Sequence, residues 1–403
     1  MIQLNQAIAR IQDSPTLALT AKAKQLKAQG EDVVAFTAGE PDLDTPDHIK
    51  NAAKDALDKG LTRYTAVIGI DELRKKLADK YNAAYGLDYT AKNVIITNGG
   101  KQSLSELFAV TLEPGDEVII PAPYWASYPD MAMLIGAEPV IIETTASEGY
   151  ILSPEALKNA CSDRTKAIII NSPSNPTGSV YSAAALKAIA KTIKSLPNAE
   201  SIMVVSDEVY EHTIFGGGVH RSILQEAPEL LEQTVISSAF SKTYSMTGWR
   251  VGYAIGPVDV IAAMSKYQSQ TTSNVCSIAQ YAAASAFDDN LAFPKLLSSE
   301  FEKRLGILLS ELETIPGLEL PVKPQGAFYA FVRVEGLFGK SAGGKKISSA
   351  SDFADYLLEE YKVVVVPGEA FGDSGAMRLS IAVSEDSLRK GLSRVREAVS
   401  KLS

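Results

Sequence analysis

At 403 residues the chain is longer than one compact core usually organises, which predicts two domains. A formal charge of −9, with no basic cluster beyond the isolated pair Lys345-Lys346, excludes the cationic face that a nucleic-acid binder needs. Two cysteines (Cys161, Cys276) and three scattered histidines (His48, His212, His220) exclude a disulfide framework and the common zinc spacings, so no metal is expected.

In chain order, Met1-Ile2-Gln3-Leu4-Asn5-Gln6 lacks the charged start and apolar run of a signal peptide. No run of about 20 apolar residues follows anywhere, so the expectation is a cytoplasmic protein that makes no use of a membrane. Residues 1–44 hold one short helical pattern and then an irregular segment, Phe36-Thr37-Ala38-Gly39-Glu40-Pro41-Asp42. Next come short, β-branched runs that read as strands: Val94–Thr97, Glu117–Ile120, Pro139–Ile142, Lys166–Ile170, Ile202–Ser206, Thr234–Ser238 and Val251–Ile255. They are apolar on both faces, the signature of a sheet covered on each side. Between them, Lys101–Leu112 carries Leu104, Leu107, Phe108 and Leu112 on one face, and Ser182–Leu196 opens on a capping serine. Ser153-Pro154-Glu155 supplies a cap followed by proline at the first helical position.

This alternation predicts an α/β fold with a mostly parallel, seven-stranded sheet and helices on both faces. The last third differs. A long helix from Leu296 to about Thr314 leads into strands Phe328–Val334, Val363–Val366 and Met377–Ala382, a flexible loop over Gly339–Ser349, and helices starting after Ser351 and after Ser384. We therefore expect a large domain over 45–290 and a smaller α+β domain made of 1–44 with 291–403.

The most informative stretch runs from Ser238 to Gly252 and contains Ser241-Lys242 and Thr247-Gly248-Trp249-Arg250. A lysine leaving a strand end stands where open α/β sheets bind ligands, and a desolvated lysine is a nucleophilic amine. Arg250 offers a planar fork for a phosphate. Taken alone, the pair reads more readily as a solvated lysine and a structural arginine.

The pair is not alone. Ala38-Gly39-Glu40-Pro41-Asp42, Tyr64, Thr97-Asn98-Gly99-Gly100-Lys101-Gln102, Pro123-Tyr124-Trp125, Asn171-Ser172-Pro173-Ser174-Asn175-Pro176-Thr177-Gly178, Ser206-Asp207-Glu208-Val209-Tyr210 and Met377-Arg378-Leu379-Ser380 accompany it in order. Together with the Lys242 segment they resemble class I aminotransferases of the fold-type-I pyridoxal-phosphate enzymes, across essentially the whole chain. The pattern is most similar to the aspartate aminotransferase branch that lacks a dedicated arginine for the distal carboxylate; the corresponding stretch, Tyr267 to Asn274, has none.

The resemblance implies pyridoxal 5'-phosphate held by Lys242 as a Schiff base, with the same lysine moving the substrate Cα proton. It implies that Gly99, Gly100, Lys101, Ser241 and Arg250 serve the phosphate end, joined by Tyr64 from a neighbouring subunit, so that a homodimer shares its active sites. Asp207 would pair with the ring nitrogen, Tyr210 with the ring hydroxyl, and Trp125 would stack on the ring. Asn175 would serve both the ring oxygen and the substrate, while Arg378 clamps the α-carboxylate beside Gly39. Lys101, Ser14 and Thr16 match the positions that meet a side-chain carboxylate, implying transfer of the amino group of L-aspartate to 2-oxoglutarate. Aromatic or prephenate-type substrates and a carbon–sulfur lyase on the same scaffold are the alternatives. One departure stands out: Ala239 replaces the serine or glycine common in relatives, leaving open whether Ser238 or Ser241 touches the phosphate. Aminotransferase-like regulators carry an added DNA-binding domain, for which this acidic chain has no room.

Overall fold

A computed structural model describes residues 2, 6–11, 13–342 and 344–403. Most of the N-terminal stretch in which no signal peptide is read lies outside the described residues.

The seven expected strands form one sheet, ordered Val94–Thr97, Gly252–Ile255, Thr234–Ala239, Met203–Asp207, Thr165–Asn171, Glu117–Ala122, Glu138–Glu143. Only Gly252–Ile255 runs antiparallel to its neighbours. Alternation explains why these runs are apolar throughout. Val118, Ile120, Ile169 and Val205 enter a core with Leu104, Leu107, Phe108, Ile261 and Met264. Their chain neighbours Ile119, Ile168, Ile170 and Val204 enter another with Leu186, Ile189 and Ile193. Successive side chains point to opposite faces, so each face needs its own helical cover.

A third core joins the helices Ala292–Leu312, Ala350–Tyr361 and Glu385–Ser400 to the strands Tyr329–Arg333 and Ala376–Ser380, through Phe301, Leu308, Phe353, Leu357, Leu388 and Leu392. Val34–Ala35 pairs in parallel with Val363–Val364, so the chain's beginning is hydrogen-bonded into its last third.

Several expectations need correction. The N-terminal region holds two helices, Gln6–Arg10 and Pro15–Ala28, the second capped by Ser14 with proline at its start. The run Val363–Val366 is not one strand: Val363–Val364 faces Val34–Ala35, whereas Val366–Pro367 pairs with Arg378 and Met377. The helix expected after Ser351 starts at Ala350, with Ser349 accepting from the Asp352 N–H. Gly339–Ser349 is tied down rather than loose. Ser341–Ala342 pairs with Lys345–Lys346, Ile347 is buried, and Ser341 exchanges backbone hydrogen bonds with Ser403; residue 343 is outside the described residues. Lys242 lies within one helical turn, Phe240–Thr243, rather than in irregular chain.

Candidate active site

Four parallel strands end on one edge of the sheet, at Thr97, Asn171, Asp207 and Ala239, and the antiparallel strand begins there at Gly252. Beyond that edge lies a cavity of about 350 Å³. Carboxyl ends of strands are where open α/β sheets place ligands.

One side of the cavity is built on a glycine junction. The helix Gly100–Thr111 opens on Gly99 with no side-chain cap, leaving N–H groups and the positive dipole end facing the cavity. Gly99 has φ +81°, and a Cβ on it would lie 2.5 Å from Arg250 Nη2. A Cβ on Gly252 would lie 2.4 Å from the Gly99 carbonyl carbon. Both positions admit only glycine, because the backbone of one strand and the guanidinium of Arg250 pack directly onto the helix start. Arg250, itself at φ +57°, donates to the carbonyls of Thr247 (3.0 Å) and Asn98 (3.1 Å).

Lys242 reaches the same cavity and donates to the carbonyl of Gly39. Burial lowers its pKa to about 8 from 10.5; Glu40 opposes the shift, and the charges of Arg250 and Arg378 add to it. An amine-reactive reagent applied to the cofactor-free chain should label Lys242 with a pH midpoint near 8. Exposed lysines should need pH above about 10, and peptide mass mapping would read the difference. An ordinary lysine midpoint at Lys242 would contradict the desolvation described here.

Asp207, buried at the end of its strand, accepts from the Tyr128 hydroxyl at 2.6 Å and from the Val209 N–H at 3.2 Å. Burial pushes its carboxyl up to about 6, restrained by those two donors, so it is ionised at neutral pH. The hydroxyls of Tyr210 and Tyr329 are 3.1 Å apart.

Arg378 is 2 % exposed, on the strand Ala376–Ser380. It donates to Asn175 Oδ1 (3.0 Å) and to the Thr37 carbonyl (3.2 Å), and its guanidinium lies 4.3 Å from the Tyr329 ring and 5.0 Å from that of Phe371. Its Nε has no partner among the described residues, and burial lowers its pKa. Asn175 is held in turn by its N–H on Asn171 Oδ1, and Asn171 donates to the Asp207 carbonyl. The Asn175–Pro176 bond is cis rather than the usual trans.

On the far side, Lys101 donates to Ser127 Oγ at 3.0 Å and stands 5.1 Å from the Trp125 ring. Burial lowers its pKa, and Arg250 adds to that, against Asp130. Ser14, Thr16 and Leu17 close this end.

The cavity thus gathers Ser14, Thr16, Gly39, Gly100, Lys101, Trp125, Asn175, Asp207, Tyr210, Ser241, Lys242, Arg250 and Arg378. Two expected residues stay off its wall. Gly99 acts by admitting Arg250, and Tyr64 is 91 % exposed. Tyr128, Asn171 and Tyr329 line the cavity without having been singled out. Asn171 lies in a quoted motif, whereas Tyr128 and Tyr329 lie outside every motif. Among the described residues, Lys101, Arg250 and Arg378 each lack a carboxylate at ion-pair distance. No group of His, Cys, Asp and Glu that could hold a metal occurs among them, and no helix of theirs is long and apolar enough to cross a membrane.

Residues 31–395 match the family described as aminotransferase class I and II. The chain is 45% identical to an aspartate/prephenate aminotransferase of Cereibacter sphaeroides, over 100% of both sequences. It is also 45% identical to an aspartate aminotransferase of Geobacillus stearothermophilus, over 98% of each. Among solved structures, an aspartate aminotransferase from Rhizobium meliloti superposes with a TM-score of 0.95 at 40% identity, covering 100% of both chains. That of Thermus thermophilus with maleate gives 0.91 at 41% identity, covering 99% of this chain and 100% of the other.

Proposed function

Given that the chain belongs to the class I and II aminotransferase family and is a pyridoxal-phosphate-dependent aminotransferase, we propose that it transfers the amino group of L-aspartate to 2-oxoglutarate. One observation carries this reading: besides Lys242, three cations without carboxylate partners among the described residues, Lys101, Arg250 and the buried Arg378, converge on one cavity, and such a convergence of positive charge attracts anions. A cofactor phosphate, an α-carboxylate and a side-chain carboxylate supply three. The branch without a dedicated distal arginine fits the same count, with Lys101 in that arginine's place.

The residues suit the cofactor. Arg250, the N–H groups of the Gly100–Thr111 helix and the Ser241 hydroxyl would hold its phosphate; Ser237 and Ser238 donate elsewhere, to Ser103 Oγ and the Glu208 carbonyl. Asp207 would face the ring nitrogen, Tyr210 and Asn175 the ring oxygen, and Trp125 the ring face. Bound in this cavity, and with the substrate amine in the place of the Lys242 amine, the cofactor would supply an electron sink for the bond broken at the substrate Cα.

The chain's own residues do the rest. Arg378 and Asn175 fix the α-carboxylate by a planar fork and an amide, next to the Gly39 backbone. Lys242, neutral in a good fraction of molecules at about pH 8, would take the Cα proton as general base and deliver it as acid to the cofactor carbon that had carried the lysine. Lys101, with Ser14 and Thr16 beside it, attracts the distal carboxylate in a partly water-excluded site. Leu17, apolar and at the mouth, is the observation that favours a second dicarboxylate reading, prephenate as amino acceptor with glutamate as donor. Turnover with prephenate matching that with 2-oxoglutarate would establish it.

Two further parts of the reading follow the chain's layout. Tyr64, fully in solvent in one chain, suits a role in a second subunit's phosphate site; sedimentation of the holoprotein as a monomer would remove it. The division into 45–290 and a smaller unit of 1–44 with 291–403 is supported by the pairing of Val34–Ala35 with Val363–Val364, and limited proteolysis near residues 44 and 291 tests it.

A panel of amino donors against 2-oxoglutarate tests the substrate. Aspartate should lead neutral donors in kcat/KM, and Lys101→Met should cut that lead by about tenfold, the worth of one partly screened charge contact. A donor ranking unchanged by Lys101→Met would contradict the charge count.

A further inference from the structure

Tyr128 is buried against the floor of the cavity and has no task in the reading above, on which this inference rests. We propose that Tyr128 is a positioning residue: its hydroxyl holds Asp207 as an oriented carboxylate for the ring nitrogen, and its ring ties Asp207 to Trp125.

The side chain belongs to the helix Ser127–Leu134 and is 1 % exposed. A carboxylate only accepts, so the hydroxyl is the donor in its 2.6 Å bond to Asp207 Oδ2. That length is the short range of an O–H···O⁻ bond, which is stronger than a neutral one. Asp207's other oxygen receives only the longer bond from the Val209 N–H, so Tyr128 is its one side-chain donor among the described residues.

Burial works against the charge on Asp207, and the tyrosine is the largest restraint on that shift. The same ring meets Trp125 edge-on, with centroids 5.3 Å apart and planes at 90°. The residue assigned to the ring nitrogen and the residue assigned to the ring face therefore lean on one side chain. Packing alone would be satisfied by phenylalanine, which fills the same volume and would spare the burial of a hydroxyl. The oxygen is explained by Asp207.

The test uses Tyr128→Phe, Asp207→Asn and the double variant, each stripped of cofactor and titrated with pyridoxal 5'-phosphate. The readouts are dissociation constant, visible absorption and thermal melting. With Asp207 intact, Tyr128→Phe should weaken cofactor binding about tenfold. In the Asp207→Asn background it should weaken binding hardly at all, since what is lost is a bond to a charge and the amide is neutral. In turnover, kcat should fall while KM for aspartate holds. Equal losses in both backgrounds would make Tyr128 a packing residue and overturn the proposal, as would an unweakened Tyr128→Phe where Asp207→Asn is weakened. Full affinity in Asp207→Asn is a distinct failure, of the ring-nitrogen assignment itself.

Discussion

Replacing Lys242 by alanine should lower steady-state turnover by about 10⁴-fold, the upper range for losing a positioned general acid–base. The protein should nonetheless fold and retain cofactor. The fold survives because the side chain makes one hydrogen bond, to the Gly39 carbonyl, and no ion pair among the described residues. Retention follows because Arg250, the uncapped helix start and Asp207 do not depend on the lysine. Turnover by stopped assay, together with cofactor content after gel filtration, checks both halves. A variant with wild-type turnover would end the assignment of proton transfer to Lys242; one that loses all cofactor would show the lysine to be mainly an anchor.

Arg378→Ala gives the second large effect. Removing one partner of a buried, hydrogen-bonded charge pair costs about 2–5 kcal/mol, which is roughly 30- to 5,000-fold in kcat/KM for aspartate. Without substrate, the guanidinium has, among the described residues, Asn175, the Thr37 carbonyl and two aromatic faces around it, with Nε unpartnered there. A buried charge in that condition does not stabilise the free protein, so the cofactor-free variant should melt no more than a few degrees below the wild type. Arg378→Lys should recover little, because a point charge cannot form two parallel bonds to a carboxylate. A large loss of melting temperature with a small loss of kcat/KM would mark Arg378 as structural.

What the sequence discloses and what it withholds divide along physical lines. The sheet strands were legible because doubly buried strands must be apolar on both faces, and Ile168, Ile169 and Ile170 enter two different cores. The turn that carries Lys242 was not, since Phe240–Thr243 is too short to show a helical period. Ser348, Ser349 and Ser351 are all plausible caps by type; burial of Ala350, Phe353, Ala354 and Leu357 on one face selects Ser349. The valine run 363–366 reads as one strand, but its two halves pair with partners more than 300 residues apart in the chain.

The site divides in the same way. Each residue proposed to bind an anion could be named from its motif, and the cavity gathers nearly all of them. The bond between Tyr128 and Asp207, 79 residues apart, leaves no local trace, nor does the exposure of Tyr64. Motifs report the residues that touch ligands; the packing that orients them is written in long-range contacts.

The central claim, that Lys242 and Arg378 work one cavity as a transaminase for aspartate, is tested most directly by a half-reaction. Holoprotein mixed with excess aspartate and no oxo acid should release one oxaloacetate per subunit and stop, resuming only when 2-oxoglutarate is added, as two-step exchange requires. Failure to form oxaloacetate from aspartate, with steady release of pyruvate and ammonia from a β-substituted amino acid in the absence of any oxo acid, would contradict the account and place the chain among eliminating enzymes.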